Sequence, residues 1–464
     1  MPNSRRLLPR LVRALPPSLA LTLFASFASA AASPEASPPA TPAAPAREWD
    51  LATIIFGNEG HERMALEIDK GRITGWISRR GKRLPIAGTS DKGAVRFEVN
   101  EGGEKALYTG RVEGEAISGT VVVSGPEVWG EEPPAPWRAR RIPPDAARPS
   151  GPRTIDFDPS EFHRVFSASI PPVLRIWPGD VVRTKTVDAG GVDEKMRTRV
   201  LGGNPQTGPF YVEGAMPGDV VAIHIRKLRL NRATAISDDG IVDRALTTDY
   251  ASEHPENDFK SVVWSLDLDK GTASPAKPTE RLKGLAVPVR PMLGCVAVAP
   301  GFGGAPIRTG DSGRIGGNMD FSEVREGATV YLQVGQPGAL IYVGDGHALQ
   351  GDGELNGNAL ETSLDVELSV DLLREKRIPG PRVENAEHLM AMGLAGSLDQ
   401  AFRDAGSDLA GWLQQDYGLT ASETAILLGA TIEYQISEVA DRNVGVVAKI
   451  RKKYLPAAAG AVKR

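Results

Sequence analysis

A dense group of ionisable side chains lies between Gly344 and Glu354, directly after an apolar segment that predicts a β-strand. It combines three carboxylates, one imidazole and one carboxamide with glycines, which let the backbone turn sharply. A loop of this composition can place oxygen ligands and one nitrogen around a divalent cation, or raise the pKa of one carboxyl group through like-charge proximity. The alternative is a polar hairpin with solvated side chains, but a hairpin does not need so many acids.

Two further glycine-rich segments carry candidate binding groups. In residues 202–219, tight turns flank a short predicted strand, and Glu213 ends that strand where its side chain can point into a cleft. In residues 316–320, two glycines allow a ligand to approach the backbone closely, while Asn318 and Asp320 offer an amide and a carboxylate. We therefore include these residues among the candidate site residues.

Together and in this order, the three segments resemble the acetamidase/formamidase family. They contain its Gly-Asn-Pro-x-Thr-Gly-Pro block, its Gly-Gly-Asn-x-Asp block and its Gly-Asp-x-His-Ala-x-Gln-Gly-Asp-Gly-Glu block. The resemblance covers roughly residues 162–455 and includes the late acidic Glu361. It implies a β-rich fold, a divalent metal, and hydrolysis of short amides to a carboxylic acid and ammonia.

A metal-dependent amide hydrolase is therefore the main hypothesis. We expect the cation to be held by four residues, His347, Asp345, Asp352 and Asp188. The imidazole favours Zn²⁺, and the excess of oxygen ligands leaves Ca²⁺ or Mn²⁺ open.

A nearby carboxylate would accept a proton from the attacking water and return it to the departing amine. The candidates are Glu354, Glu213 and Glu361, and Glu354 ranks first because it lies beside the expected ligands in the sequence. The expected substrate-binding residues are Gly317, Asn318 and Asp320. Asn318 and the backbone amides of residues 316 and 317 could hold the developing oxyanion, where one good donor contributes about 3 kcal/mol.

Other readings of the same residues are weaker. Cys295 lies in an apolar segment with no nearby base, and Ser312 lies in a turn without the Gly-x-Ser-x-Gly pattern of serine hydrolases. The main alternative is a non-catalytic exported binding protein, with a structural metal in the 345–354 segment and ligand recognition by an N-terminal β domain.

The elements that must position these residues are mostly strands. Short apolar alternations separated by glycine-rich turns predict a mainly β chain, with a small antiparallel β domain before the β-rich, amidase-like main domain. Two late helices are predicted as a C-terminal pair, one capped by Ser397 and one opened by the capping box Thr420 to Glu423. The predicted organisation is a signal peptide at 1–30, a disordered linker at 31–47, the small β domain at 48–141, a linker at 142–153, the amidase-like domain at 154–455 and a tail at 456–464.

The N-terminus predicts export. A basic stretch, an apolar run and small residues ending at Ala30 have the layout of a cleaved secretory signal, so we expect a periplasmic or secreted protein. Arg5 and Arg6 leave the twin-arginine and the general secretory routes both open. Loss of the leader's four arginines leaves 58 acidic against 50 basic residues, a net charge of −8. That charge argues against nucleic acid as a partner, no later segment predicts stable membrane insertion, and homo-oligomers are left open.

Overall fold

The structure is a computed structural model that describes residues 47–79, 81–125, 133–144, 148–255, 259–302 and 304–458. The predicted signal peptide, nearly all of the predicted linker after it and most of the predicted tail lie outside the described residues. Residues 46–464 form one compact unit. The domain boundaries proposed within it stay predictions.

The N-terminal strands form a closed antiparallel barrel. Within the described residues, each of eight strands pairs with the next, and β1 pairs with β8 to close the ring. Alternate residues point inward, so Phe97 and Tyr108 stack at 4.9 Å between ring centroids and Trp137 packs edge-on against both. The strands are β1 (Glu48–Ile55), β2 (Asn58–Asp69), β3 (Arg72–Arg79), β4 (Lys82–Asp91), β5 (Ala94–Glu101), β6 (Glu104–Glu113), β7 (Ala116–Ser124) and β8 (Ala135–Arg141).

Two large sheets make up the main domain. One follows the order β29-β30-β28-β27-β23-β14-β26-β12-β9. The other follows β18-β17-β16-β15-β25-β24-β19-β22-β21, with β13 pairing β24 and β11 pairing β13, while β10 pairs β20 separately. The strands are β9 (Thr154–Asp156), β10 (Val165–Phe166), β11 (Leu174–Ile176), β12 (Val181–Lys185), β13 (Gln206–Val212), β14 (Val220–Leu230), β15 (Thr234–Asp238), β16 (Ser261–Asp267), β17 (Thr272–Pro275), β18 (Val287–Pro288), β19 (Met292–Val298), β20 (Ile307–Arg308), β21 (Ser312–Gly313), β22 (Gly316–Asn318), β23 (Thr329–Gln333), β24 (Ile341–His347), β25 (Glu361–Thr362), β26 (Leu364–Leu373), β27 (Arg382–Glu384), β28 (His388–Ala395), β29 (Glu433–Ile436) and β30 (Val444–Arg451).

The main core is shared by both sheets. Val221 of β14 and Leu332 of β23 belong to the same buried apolar cluster as Val296 of β19 and Val343 of β24. Burial of this apolar surface holds the sheets together. Residues at the end of β24 are thereby carried into the interior of the domain.

Helices are a minor part of the fold. Ser397 caps α2 (Leu398–Tyr417), and the capping box from Thr420 to Glu423 opens α3 (Ala421–Thr431). The predicted helical pair and the mainly β fold are both confirmed. A short helix, α1 (Thr248–Glu253), and two 3₁₀ turns, Asp243–Ala245 and Lys452–Tyr454, also occur. Among the described residues, none of the helices is long and apolar enough to cross a membrane.

A buried ion pair joins the barrel to the main domain. Arg63 of β2 places Nη2 at 2.6 Å from Oδ2 of Asp219, and the two side chains are 3% and 1% exposed. The same guanidinium donates to the carbonyl oxygen of Gly214 at 3.1 Å. The barrel is therefore fixed to the turn that precedes β14.

Candidate metal centre

The sequence motif around His347 lies mainly in a strand. We predicted a loop from Gly344 onward, but β24 continues to His347 because it is paired on both edges. His347 faces Met292 of β19 on one side and Glu361 of β25 on the other. The ladders thus fix the backbone of Asp345 and His347 more firmly than a loop would.

Five buried ionisable residues converge at this point, and we call them the acidic cluster: Asp320, Asp345, His347, Glu354 and Glu361. The Nε2 atom of His347 lies 3.1 Å from Oε1 of Glu361, 3.4 Å from Oδ1 of Asp345 and 4.0 Å from Oδ1 of Asp320. One potential ligand atom from each of Asp320, Asp345 and His347 lies within 4.8 Å of the others, and the same holds for His347, Glu354 and Glu361. The acidic cluster could hold a metal ion.

Unpaired buried atoms support this fit. Within the part of the chain that the structure describes, four atoms of the acidic cluster make no hydrogen bond of good geometry. They are Oδ1 of Asp320, Oδ1 of Asp345, Nε2 of His347 and Oε2 of Glu361. A buried polar group without a partner costs about 1–3 kcal/mol. One nitrogen and several carboxylate oxygens aimed at a shared space are a donor set suited to a divalent cation.

Gly294 makes room for these groups. A Cβ atom at this position of β19 would lie 2.4 Å from Oδ1 of Asp320 and 2.5 Å from Oδ2 of Asp345. Any side chain would therefore displace the two carboxylates. Gly294 could have been identified from the sequence, because a glycine inside an apolar strand is a known signal of close approach.

A hydrogen bond at Nδ1, on the side of the ring away from the acidic cluster, sets the tautomer of His347. Its Nδ1 atom lies 3.0 Å from Oε1 of Gln350. The amide nitrogen of Gln350 donates to the backbone carbonyls of Asp320 at 2.5 Å and Ser437 at 3.0 Å, so its oxygen must face the histidine. In the neutral ring, Nδ1 then carries the proton and Nε2 has its lone pair toward the acidic cluster.

Two asparagines brace the carboxylates. Nδ2 of Asn204 donates to Oδ1 of Asn318 at 2.8 Å and to Oδ2 of Asp345 at 3.2 Å. Nδ2 of Asn318 donates to Oδ2 of Asp320 at 2.6 Å and to Oδ2 of Asp441 at 2.7 Å. Both amide protons of Asn318 are thereby used, so Asn318 positions carboxylates and has no proton left for the oxyanion that we expected it to bind.

Gly317 is also engaged in local structure. Its backbone in β22 pairs with Val296 of β19 on one side and with Ser312 of β21 on the other. Its φ of 101° suits glycine, and a Cβ atom there would lie 2.3 Å from the carbonyl oxygen of Asp311. This geometry argues against the expected use of the Gly317 amide to bind substrate.

Several residues at the site have left-handed backbone conformations. Asn204, Asp320, Asp345 and Glu354 have φ values of 53°, 40°, 58° and 47°. Residues other than glycine rarely adopt such angles, which cost of order 1–3 kcal/mol each and cluster at functional sites.

Burial and like charges change the proton affinities of the acidic cluster. Burial, together with neighbouring carboxylates, raises the pKa of Asp320 and of Glu354 well above the ordinary range. Burial also raises the pKa of Glu361 to about 7, with His347 opposing the change. For His347, burial lowers the pKa, but Glu361 and Asp345 outweigh it and the pKa is raised. The site therefore holds more carboxyl groups than can readily ionise together, and a bound cation would favour their charged forms.

Three predicted residues lie outside the acidic cluster. Glu213 accepts two hydrogen bonds from Arg175, at 2.7 and 3.1 Å, so it does not face the cluster as a free base. Asp352 is exposed and accepts from Gln435 at 2.6 Å, because the turn at 351–353 carries its side chain outward before Glu354 returns to the interior. The structure therefore does not bring Asp352, the predicted ligand, or Glu213, a predicted base, into the acidic cluster.

Asp188 is buried beside the acidic cluster but is already paired. Its Oδ2 atom lies 2.6 Å from Nη2 of Arg232, and its Oδ1 accepts from the backbone of Val192 at 2.8 Å. Nη2 of Arg232 also donates to the carbonyl oxygen of Glu361 at 3.2 Å. Asp188 therefore supports the backbone of Glu361 through Arg232, in place of the expected metal contact.

A second acidic pair approaches from the segment between β29 and β30. Asp441 reaches Asn318, and the backbone nitrogen of Asp441 donates to Oε2 of Glu438 at 3.1 Å. Burial raises the pKa of Asp441 to about 6 and that of Glu438 to about 8. No motif in the sequence pointed to these two residues.

Comparisons with known proteins point to the same region of the chain. A sequence model described as the acetamidase/formamidase family matches residues 302–442, which contain the whole acidic cluster. A predicted acetamidase/formamidase from Thermoanaerobacter tengcongensis has a similar structure, with 29% identity, a TM-score of 0.56, and coverage of 65% of this chain and 96% of that one. The acetamidase from Yersinia enterocolitica is also 29% identical, with a TM-score of 0.56 and coverage of 66% of this chain and 94% of that one. This part of the chain is therefore similar to the acetamidase/formamidase family. The resemblance seen in the sequence is thereby confirmed.

Another acetamidase/formamidase-like structure agrees with this placement. The acetamidase from Bacillus halodurans is 26% identical, with a TM-score of 0.55 and coverage of 65% of this chain and 98% of that one. Nearly the whole length of each of these proteins is therefore matched, while part of this chain extends beyond them. A search of curated proteins finds no significant match.

Proposed function

We propose that the chain is an exported, metal-dependent hydrolase of short linear amides that releases ammonia and a carboxylate. Similarity to the acetamidase/formamidase family supports amide hydrolysis, and the relatives named acetamidase support a short substrate. The observation that carries the proposal is the acidic cluster, in which four buried atoms lack partners at one place.

The metal would be held by His347, Asp345, Asp320 and Glu361. Each has a buried atom without a hydrogen-bond partner, and Nε2 of His347 lies within 4.0 Å of a carboxylate oxygen of each of the other three. When bound, a divalent cation such as Zn²⁺, Ca²⁺ or Mn²⁺ supplies Lewis acidity that polarises a carbonyl and lowers the pKa of a water molecule. Asn204, Asn318 and Gln350 hold the ligands in place through the hydrogen bonds described above.

Glu354 is the residue that we assign to proton transfer. Its Oε1 atom accepts a hydrogen bond from the backbone of Ala359 at 2.9 Å, which fixes the carboxyl group at the edge of the cluster. There it can take a proton from the attacking water and deliver it to the departing nitrogen, so that one amide and one water give a carboxylic acid and ammonia.

The decisive experiment measures ammonia release from formamide, acetamide and propionamide by the purified chain that starts after residue 30. Metal content is measured in parallel, before and after treatment with a chelator. We expect turnover that the chelator abolishes and that added metal restores. A chain that retains metal without turning over any of the three amides would contradict hydrolysis and favour the non-catalytic alternative.

Export is proposed from the N-terminal sequence alone. Sequencing the N-terminus of the exported protein should begin near residue 31. Recovery of intact Met1 in that fraction would contradict cleavage, and absence of the protein from the exported fraction would contradict the localisation.

A further inference from the structure

A large cavity lies where the mouth of the barrel faces the main domain. Its volume is about 1050 Å³, which is at the upper end of the range for small-molecule sites. The cavity is lined by both parts of the chain and is separate from the acidic cluster, none of whose residues lines it.

The inward faces of the barrel strands continue into this cavity. Phe97 and Tyr108 are register partners in the aromatic core, and the next inward pair along the same strands is Val99 with Ala106. Val99 and Ala106 are buried, and both line the cavity. Eight-stranded barrels can either fill their interior with side chains or hold one small ligand. Here aromatic rings fill one part, and an apolar funnel remains at the mouth.

The rim of the cavity carries unusually exposed apolar side chains. Phe56 of the barrel is 80% exposed and Phe302 of the main domain is 59% exposed, and both line the cavity. The ring of Phe302 lies against Gly60, where a Cβ atom would be only 2.5 Å away. Exposed apolar surface of this kind around a concave site is typical of ligand binding.

The polar groups of the cavity favour a ligand without net charge. Arg79 donates to both carboxylate oxygens of Glu62, at 2.6 and 3.0 Å, and lies 3.6 Å from Glu101. Its charge is therefore already compensated inside the barrel. Three acidic residues and three arginines line the cavity, so their formal charges balance: Glu62, Glu101, Glu104, Arg79, Arg314 and Arg377. Beside Arg79, an anion or a cation would have to displace the pair with Glu62, whereas a hydroxyl or an amide could hydrogen-bond to that pair.

Rigid contacts keep the cavity open in one shape. The buried pair of Arg63 and Asp219 fixes the barrel beside the turn at Pro217 and Gly218, which forms part of the cavity wall. The side chain of Arg377 crosses from the main domain to Gly81 of the barrel. A preformed cavity saves the ordering that would otherwise weaken binding.

We propose that this cavity binds an uncharged amphipathic molecule, with an apolar chain in the funnel of the barrel and a hydrogen-bonding end beside Arg79 and Glu62. Val99, Ala106, Phe56 and Phe302 contact the chain of the ligand. The site does not depend on the acidic cluster, so it adds a binding function to the hydrolase and does not require hydrolysis.

The test uses the full mature chain and the neutral fluorescent probe N-phenyl-1-naphthylamine. We expect saturable binding at one site and displacement by dodecan-1-ol at a concentration roughly tenfold lower than that needed with dodecanoate or dodecylammonium. None of these competitors is an amide, so the outcome is independent of the amidase activity. Absence of saturable binding, or stronger displacement by either ion, would overturn the proposal.

Two variants locate the site. Phe302→Ser removes a rim contact while leaving every residue of the barrel unchanged, and it should weaken probe binding roughly five- to tenfold. Val123→Trp should fill the funnel and abolish binding. The matched control is Leu268→Ser, which removes another exposed apolar side chain, 49% exposed against 59% for Phe302, outside the cavity and should leave binding unchanged. Turnover of formamide should stay unchanged in Phe302→Ser, and equal probe binding in Phe302→Ser and Leu268→Ser would overturn the assignment.

Discussion

Gln350 orients His347 through Nδ1 and leaves Nε2 facing the acidic cluster, which makes two substitutions in the cluster distinguishable. His347→Ala removes a ligand nitrogen, so metal content should fall together with amide turnover. Glu354→Gln keeps the size of the side chain but cannot accept a proton, so metal should stay while turnover falls by about 10² to 10⁴. Elemental analysis alongside ammonia release measures both effects. Loss of metal in Glu354→Gln would make Glu354 a ligand and move proton transfer to Glu361.

Substitution of Gly294 tests the geometry of the metal site more directly, because Gly294 packs against the proposed ligands but is not itself a ligand. The new Cβ atom in Gly294→Ala would collide with Asp320 and Asp345, so metal affinity should fall by roughly 10- to 100-fold, as for other residues that orient ligands. The control is Gly351→Ala in the neighbouring turn, where a Cβ atom meets nothing within 4 Å. Metal titration of the two variants should separate them, and equal affinities would show that the ligands lie elsewhere.

At the scale of elements, local signals predicted structure well and distant contacts poorly. Ser397 and the Thr420 to Glu423 box marked both helix starts because capping depends on residues three apart. The motif around His347 was misread as a loop because its strand pairing depends on β19 and β25, which the local glycine content does not reveal. Asp352 and Glu213 were included because they lie near motif residues in the sequence, but turn direction and a partner arginine decide where their side chains point.

Dependence on distant contacts also explains why some residues of the site were not predicted from the sequence. Asp441 lies 123 residues after Asn318 in the sequence, yet the two side chains share a hydrogen bond. Asn204 lay inside a recognised segment, but its contact with Asp345 spans 141 residues. Such contacts are set by which strands pair and by how the two sheets pack, so composition and spacing alone could not identify them.

The segment between β29 and β30 should give the metal-free protein a pH-dependent stability. Glu438 is buried, its Oε1 lacks a partner within the described residues, and burial raises its pKa from 4.5 to about 8. The folded state binds this proton more tightly than the unfolded state does. Its contribution to stability is therefore fully present below about pH 4.5 and is lost as the pH rises through about 8.

Glu438→Gln should remove this dependence. At about 1.4 kcal/mol for each unit of pKa shift, the variant should exceed the unsubstituted chain by a few kcal/mol near pH 9 and match it near pH 5. Denaturant unfolding of chelator-treated protein at the two pH values measures the difference. Glu280→Gln, at an exposed position, is the control and should change neither value by more than about 0.5 kcal/mol. Equal stability of Glu438→Gln and the unsubstituted chain at pH 9 would contradict the assignment.

At the scale of the whole molecule, the barrel and the main domain meet through contacts of very different burial. Arg63 and Asp219 form a pair that is almost fully buried, and Asp219 also accepts from the backbone nitrogens of Met216 and Glu375 at 3.0 Å each. Arg83 and Glu375 also pair across the junction, at 2.8 Å, but their side chains are 55% and 37% exposed. Since water competes only for the exposed pair, the two arginines should differ strongly in what they contribute.

Replacing each arginine by methionine tests this difference. Arg63→Met leaves the Asp219 carboxylate buried without its cation, so the free energy of unfolding should fall by about 3–5 kcal/mol, whereas Arg83→Met should lower it by about 1 kcal/mol at most. Arg63→Met should also loosen the wall at Pro217 and weaken binding of N-phenyl-1-naphthylamine in the cavity, while the acidic cluster keeps its metal because none of its ligands contacts Arg63. Unfolding curves, probe titration and elemental analysis of both variants measure these effects. Equal destabilisation by the two substitutions would mean that water reaches Asp219 and that the barrel is held to the main domain by other contacts.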